Sequence, residues 1–123
     1  MAYNVNMELD QESALSVKKL LDVFCGDDWA SKYIQTHKYR CNDDVQNILS
    51  LNPHAVLNLG GAPFVFEVLA AAKGLTVTSV DLGPERHDRQ INELGLDVIE
   101  ADLESAEFVE DVNLSNYDIL VLC

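Results

Sequence analysis

The chain predicts an α/β fold built on a parallel β-sheet, and three observations carry that reading. From Ala55 onward, short apolar runs rich in β-branched residues alternate with helical patterns, as in successive βα units. The first three runs lead into Gly60, Asp81 and Asp102, residue types suited to tight turns and ligand contacts. The residues before Ala55 carry helical periodicity alone. The 123 residues therefore read as one domain, with an N-terminal helical section over 1–54 and βα units over 55–123.

Each element has its own justification. Gln11 to Phe24 places Ala14, Val17, Leu20, Leu21 and Phe24 on one helical stripe, closed near Gly26. Asp28 to Tyr39 predicts a second helix. Asp43 and Gln46 resemble a capping box, so Val45, Ile48 and Leu49 belong to a separate short helix stopped before Pro53. Ala55–Leu59 is the first strand. Pro63 suits the first turn of the following helix, where no N–H is needed, and Phe64, Val68, Leu69 and Ala72 supply its buried face. Thr76–Val80 is the second strand and ends on Asp81. A polar helix from Pro84, anchored by Ile91 and Leu94, leads to a third strand over 97–101. Ser105 caps a helical turn with Phe108, Val109 and Val112, and Tyr117–Leu122 is the fourth strand.

Charge and cysteines narrow the function classes. The chain carries 8 Lys+Arg against 21 Asp+Glu, a formal charge of -13. Residues 1–55 hold 5 basic and 8 acidic side chains, and residues 56–123 hold 3 and 13, so the glycine-turn half is the acidic one. That field repels phosphate backbones and anionic lipid, which disfavours direct nucleic-acid or membrane binding. Salt adaptation and ordinary solubility account equally well for the excess acid. Cys25, Cys41 and Cys123 share no short spacing, so reduced thiols and a cytoplasmic location are expected, with no metal site. His37 and Cys41 lie four apart but have no further Cys/His pair beside them. No secretory leader or membrane-spanning run is read in the sequence.

In a parallel sheet, ligands sit outside the carboxyl ends of the strands. Gly60 and Gly61 allow close backbone approach, Asp81 can accept hydrogen bonds from both hydroxyls of a ribose, and Asp102 can accept from an exocyclic amine such as adenine's. Leu82 and Leu103 are placed to sandwich a flat ring. The set points to an adenosine. Each residue also has a plainer role: the glycines as a tight turn, Asp81 as a cap for the helix at Gly83-Pro84, Asp102 as a cap before Ser105.

The order of these signals resembles the class I S-adenosylmethionine-dependent methyltransferases over roughly residues 55–123. Val56-Leu57-Asn58-Leu59-Gly60-Gly61-Ala62 is similar to the glycine motif, Val80-Asp81-Leu82-Gly83-Pro84-Glu85 to the ribose motif, and Ala101-Asp102-Leu103 to the adenine motif. Tyr117–Val121 is similar to the fourth strand. The resemblance implies a Rossmann-like sheet, with strand order 3-2-1-4 as far as the chain runs. It implies an S-adenosylmethionine site formed by Asn58, Gly60, Gly61, Ala62, Asp81, Leu82, Asp102 and Leu103. The N-terminal helices would close over the cofactor, with Trp29, Tyr33 and Tyr39 either at the substrate pocket or in the core.

Departures are equally specific. Asn58 stands where the family has an acid, and Ala62 and Phe64 stand at glycine positions, so Phe64 must point away from the ligand. The family's later strands are not in the sequence, leaving the Leu120 edge open. A longer protein, a partner chain or oligomer covering that edge, or a reduced binding module would each explain it, and the first two are favoured. The expected activity is methyl transfer to an unidentified small-molecule or protein acceptor by direct displacement at the sulfonium, which needs no protein nucleophile. No catalytic residue is assigned. The alternative is a non-catalytic module that pairs with a partner. A nicotinamide-dinucleotide site ranks last because the G-x-G-x-x-G spacing is absent.

Overall fold

A computed structural model describes residues 8–122, so Cys123 lies outside the described residues. Helix α1, Gln11–Val23, starts where the Asp10 carboxylate accepts the Ser13 N–H at 2.9 Å. It buries Ser13, Val17, Leu20 and Val23, and Phe24 follows them into the core. Ala14 is exposed instead. Ser13 takes the inward position because its hydroxyl donates to Asn42 Oδ1 at 3.2 Å.

Helix α2, Asp28–Leu49, is one continuous helix of 22 residues, not two. Asp27 caps it through the Ala30 N–H at 3.0 Å, and Asp43 lies in its interior, where it begins no helix. The polar run Asn42-Asp43-Asp44 is tolerated mid-helix because Asn42 is buried against its Ser13 partner. Ala30, Ile34, Cys41, Val45 and Ile48 form the core face. Trp29 is 63% exposed and stacks on Tyr33, which stacks on His37 at a centroid distance of 4.2 Å. Trp29 lies at the outer end of this row, while Tyr33 is partly buried and packs against the core.

The sheet elements then follow in order: β1 (Val56–Asn58), α3 (Val65–Ala72), β2 (Val77–Asp81), a 3-10 turn (Pro84–His87), α4 (Asp88–Leu94), β3 (Asp97–Glu100), α5 (Phe108–Val112), a 3-10 turn (Leu114–Asn116) and β4 (Ile119–Val121). All pairings are parallel and the strand order is β3-β2-β1-β4, the Rossmann-like arrangement. Fold class and strand order thus agree with the sequence reading. Ser105 orders the turn ahead of α5 by accepting the Glu107 N–H at 3.2 Å, and α5 begins only at Phe108. β4 is shorter than the apolar run around it, because Asp118 precedes the strand and takes a different role. Its carboxylate accepts the N–H groups of His54 at 2.8 Å and Ala55 at 2.9 Å, tying the start of β4 to the start of β1.

Alternation along the strands sorts the core into two layers. Val56 faces α1, α2 and α3, with Ile91 and Leu94 of α4 packed beside them. Leu57, Val80, Ala101 and Val112 form the opposite layer with Phe108. Each fully buried Leu, Val or Phe contributes about 1.5–3 kcal/mol. Among the described residues no helix is long and apolar enough to cross a membrane.

Candidate functional site

The turn from β1 to α3 is closed by its own polar groups. The Gly60 N–H donates to Asn58 Oδ1 at 3.2 Å, the Ala62 N–H to Asp81 Oδ2 at 3.5 Å, and the Phe64 N–H to the Gly61 carbonyl at 3.2 Å. Phe64 adopts a left-handed backbone, φ 69°, which is costly for a bulky residue and ends the turn. The helix therefore starts at Val65, and Pro63, expected in its first turn, lies ahead of it. The Phe64 ring is fully buried, 6.4 Å from Phe24 and 6.1 Å from His87 between centroids. It points away from the strand ends, as a large side chain there must. His87 is half-buried, with its ring against Phe24 and Phe64.

Gly61 owes its identity to a neighbour. A Cβ on this residue would lie 2.5 Å from Asp81 Oδ2, so only glycine lets the carboxylate sit against the turn. The Asp81 side chain, 10% exposed, ends β2. Its Oδ1 accepts the Gly83 N–H at 3.1 Å and lies 3.9 Å from the Arg86 guanidinium. Asp81 thus orders the turn into Gly83 without capping the 3-10 turn from Pro84, whose N-cap is Gly83 and which has no side-chain cap, and the same geometry fixes the carboxylate beside Gly61. After β3, Asp102 is exposed, and its Oδ1 accepts the Glu104 N–H at 2.9 Å.

Leu59, Gly61, Asp81, Leu82, Asp102 and Leu103 line one cleft of about 420 Å³ at the carboxyl ends of β1, β2 and β3. Leu82 is 66% and Leu103 47% exposed, which leaves apolar surface for a flat group. Five of the expected site residues therefore meet there: Gly61, Asp81, Leu82, Asp102 and Leu103. Asn58, Gly60 and Ala62 are not among its walls. Asn58 is 1% exposed and its Nδ2 donates to Glu67 Oε2 at 2.9 Å. Gly60 spends its N–H on Asn58, and Ala62 packs against the core.

Glu67 is the residue that sequence reasoning passed over. It lies in the first turn of α3, 3% exposed, and its Oε2 also accepts the Ser79 hydroxyl. Burial pushes its pKa up to about 8, and the nearby Cys41 and Asp81 add to the rise. The signal was available: Glu67 is the lone acid in the apolar run Val65–Ala72.

The class these features define is a parallel-sheet α/β protein with an acid- and leucine-lined cleft at its strand ends. No protein-family model matches the chain, and no curated protein or solved structure is detectably similar to it.

Proposed function

We propose that the cleft binds the adenosyl part of S-adenosylmethionine, and that the chain is a methyltransferase or the cofactor-binding part of one. The observation that carries the reading is the convergence of Gly61, Asp81, Leu82, Asp102 and Leu103 on one cleft. Three successive strand ends contribute to it, which three unrelated helix caps would not require. Its volume, about 420 Å³, lies in the range of small-molecule sites, and its apolar walls and two acids match a flat ring joined to a diol.

In this reading Asp81 accepts the ribose hydroxyls while the Gly83 N–H holds its carboxylate in place. Asp102, steadied through Oδ1 by the Glu104 N–H, offers its other oxygen to an exocyclic amine. Leu82 and Leu103 exclude water from the ring faces. The cofactor supplies the activated methyl group, so the chain's task is binding and alignment, not nucleophilic attack. The acceptor is an unidentified small molecule or protein, the expected location is cytoplasmic, and no contact with nucleic acid is expected.

Calorimetric titration with S-adenosylhomocysteine, S-adenosylmethionine and NAD tests the reading. Both sulfur compounds are expected to bind and NAD is not. Asp81→Ala removes a charged acceptor, and affinity is expected to fall about a hundredfold, near 3 kcal/mol. Absence of binding by either sulfur compound would refute the proposal.

A specific observation favours a second reading, a non-catalytic module completed by a partner chain. Leu120 is 53% and Leu122 81% exposed along the outer edge of β4, beside a groove shared with Asp44, Asn47 and Ile48 of α2. Sedimentation distinguishes the two: a strictly monomeric chain that binds the sulfur cofactors counts against pairing.

A further inference from the structure

Residues 29–40 carry Lys32, Lys38 and Arg40 and no acid, in a chain whose formal charge is -13. They belong to the first half of α2, which packs on the sheet face opposite α5 and its acids Glu110 and Asp111. Lys38 is engaged: its ammonium lies 5.0 Å from the Tyr39 ring centroid and donates to Gln35 Oε1 at 2.7 Å. Lys32 and Arg40 are exposed, and neither has an ion-pair partner among the described residues. One stretch of helix thus presents two cations to solvent with no carboxylate paired to them.

Beside these cations runs the row Trp29, Tyr33 and His37, one residue per helical turn. Burial, and after it the charge of Arg40, holds the His37 pKa below its ordinary value, so at neutral pH this ring is uncharged. Trp29, Lys32, Tyr33, Thr36 and His37 line a groove of about 290 Å³. The Thr36 hydroxyl donates to the Lys32 carbonyl at 2.8 Å, so it asks for no partner from an occupant. Trp29 keeps most of a large ring in water, and its contact with Tyr33 at 5.4 Å orders that ring beforehand. An aromatic surface ordered before contact loses little conformational entropy on binding, which suits it to act as an anchor.

We infer that this face of α2 docks an acidic amphipathic helix of a partner protein, with apolar side chains seated in the groove and carboxylates on Lys32 and Arg40. The two cations are eight positions apart. That is about 12 Å along a helix axis, so the complementary carboxylates lie about two turns apart with the apolar residues between them. The inference is independent of the reading of the cleft. A single strand of nucleic acid also stacks on aromatic rings, but it needs a run of cations along its backbone, and two cations on a chain of charge -13 supply no such run. A second copy docked by the same face would bring Lys32 and Arg40 against their own like charges, which weakens that contact.

Trp29 is the one tryptophan of the chain, so its fluorescence reports on this face without a label. The probe is a synthetic helical peptide with leucine and phenylalanine at the centre of one face and glutamates two turns apart flanking them; its control has lysine in place of each glutamate. With the whole chain, the glutamate peptide is expected to shift Trp29 emission to the blue in a saturable titration. It is expected to bind at least about tenfold more tightly than the lysine peptide. The double variant Lys32→Glu, Arg40→Glu is expected to invert that preference, an outcome that a misfolded variant could not give. No shift with either peptide, or equal affinity of the unaltered chain for both, overturns the inference, as does a preference unchanged in the folded double variant. A shift produced only by a single-stranded oligonucleotide overturns it in favour of nucleic acid. Trp29 emission that moves with protein concentration alone overturns it in favour of a contact between copies.

Discussion

The junction after β1 and the junctions after β2 and β3 answer the same topological demand in opposite ways. The first is sealed: Asn58 takes the Gly60 N–H, Asp81 takes the Ala62 N–H, and Phe64 is driven into the core. The other two stay open, with Leu82, Asp102 and Leu103 exposed around a cleft. In the proposed reading, one junction is a wall and the others are the recognition surface. The glycine turn contributes a shape against which Asp81 can lie, while its Gly60 and Ala62 N–H groups are already engaged within the protein.

Breaking the sealed side should cost the most. Phe64→Ala empties a fully buried site between α1 and the 3-10 turn, and a loss of about 3–5 kcal/mol is expected in urea unfolding. Wild-type affinity per folded molecule would show that the wall survives without its anchor. A second test uses pH. Because the folded-state pKa of Glu67 is raised from 4.5 to about 8, its contribution to stability is fully present below 4.5 and is lost as pH rises through about 8. Urea midpoints across that window should fall, with a slope of at most about 1.4 kcal/mol per pH unit. Glu67→Gln should flatten the slope, and a variant with an unchanged slope would show that Glu67 does not titrate there.

Smaller effects sharpen the boundary between wall and surface. Gly61→Ala drives a methyl group into Asp81 Oδ2, so the carboxylate must move, and affinity for S-adenosylhomocysteine should drop by about 2 kcal/mol. Stability should change less than affinity if Gly61 serves the site. Leu103→Ala removes one half-exposed wall of the cleft, and calorimetry should register a loss of about 1 kcal/mol or less with unfolding unchanged.

The fold was legible because parallel strands read as short apolar runs and their order followed the sequence signals through to β4. What escaped depended on partners far along the chain. Asn42-Asp43-Asp44 looks like a helix boundary locally, and only Ser13, 29 residues away, makes Asn42 a helix-interior residue. Pro63 looks like a helix start, but the left-handed Phe64 delays the helix to Val65. In the candidate site, the exposed strand-end residues Asp102, Leu82 and Leu103 were readable from position alone. Asn58 was not, since its amide turns inward to a buried acid that local pattern treats as one more charge.

The clasp from Asp118 to His54 and Ala55 has a consequence for how the protein assembles. β1 gains its β2 partner across a short βα unit, but its other edge and the two N–H groups at its entry wait for residues 63 and 64 positions further along. The strand at the centre of the sheet is thus zipped in two stages of unequal entropic cost, the local one first. Pulse-labelled hydrogen exchange should find amides on the β2 side of β1 protected early, and those of His54, Ala55 and β4 protected together and late.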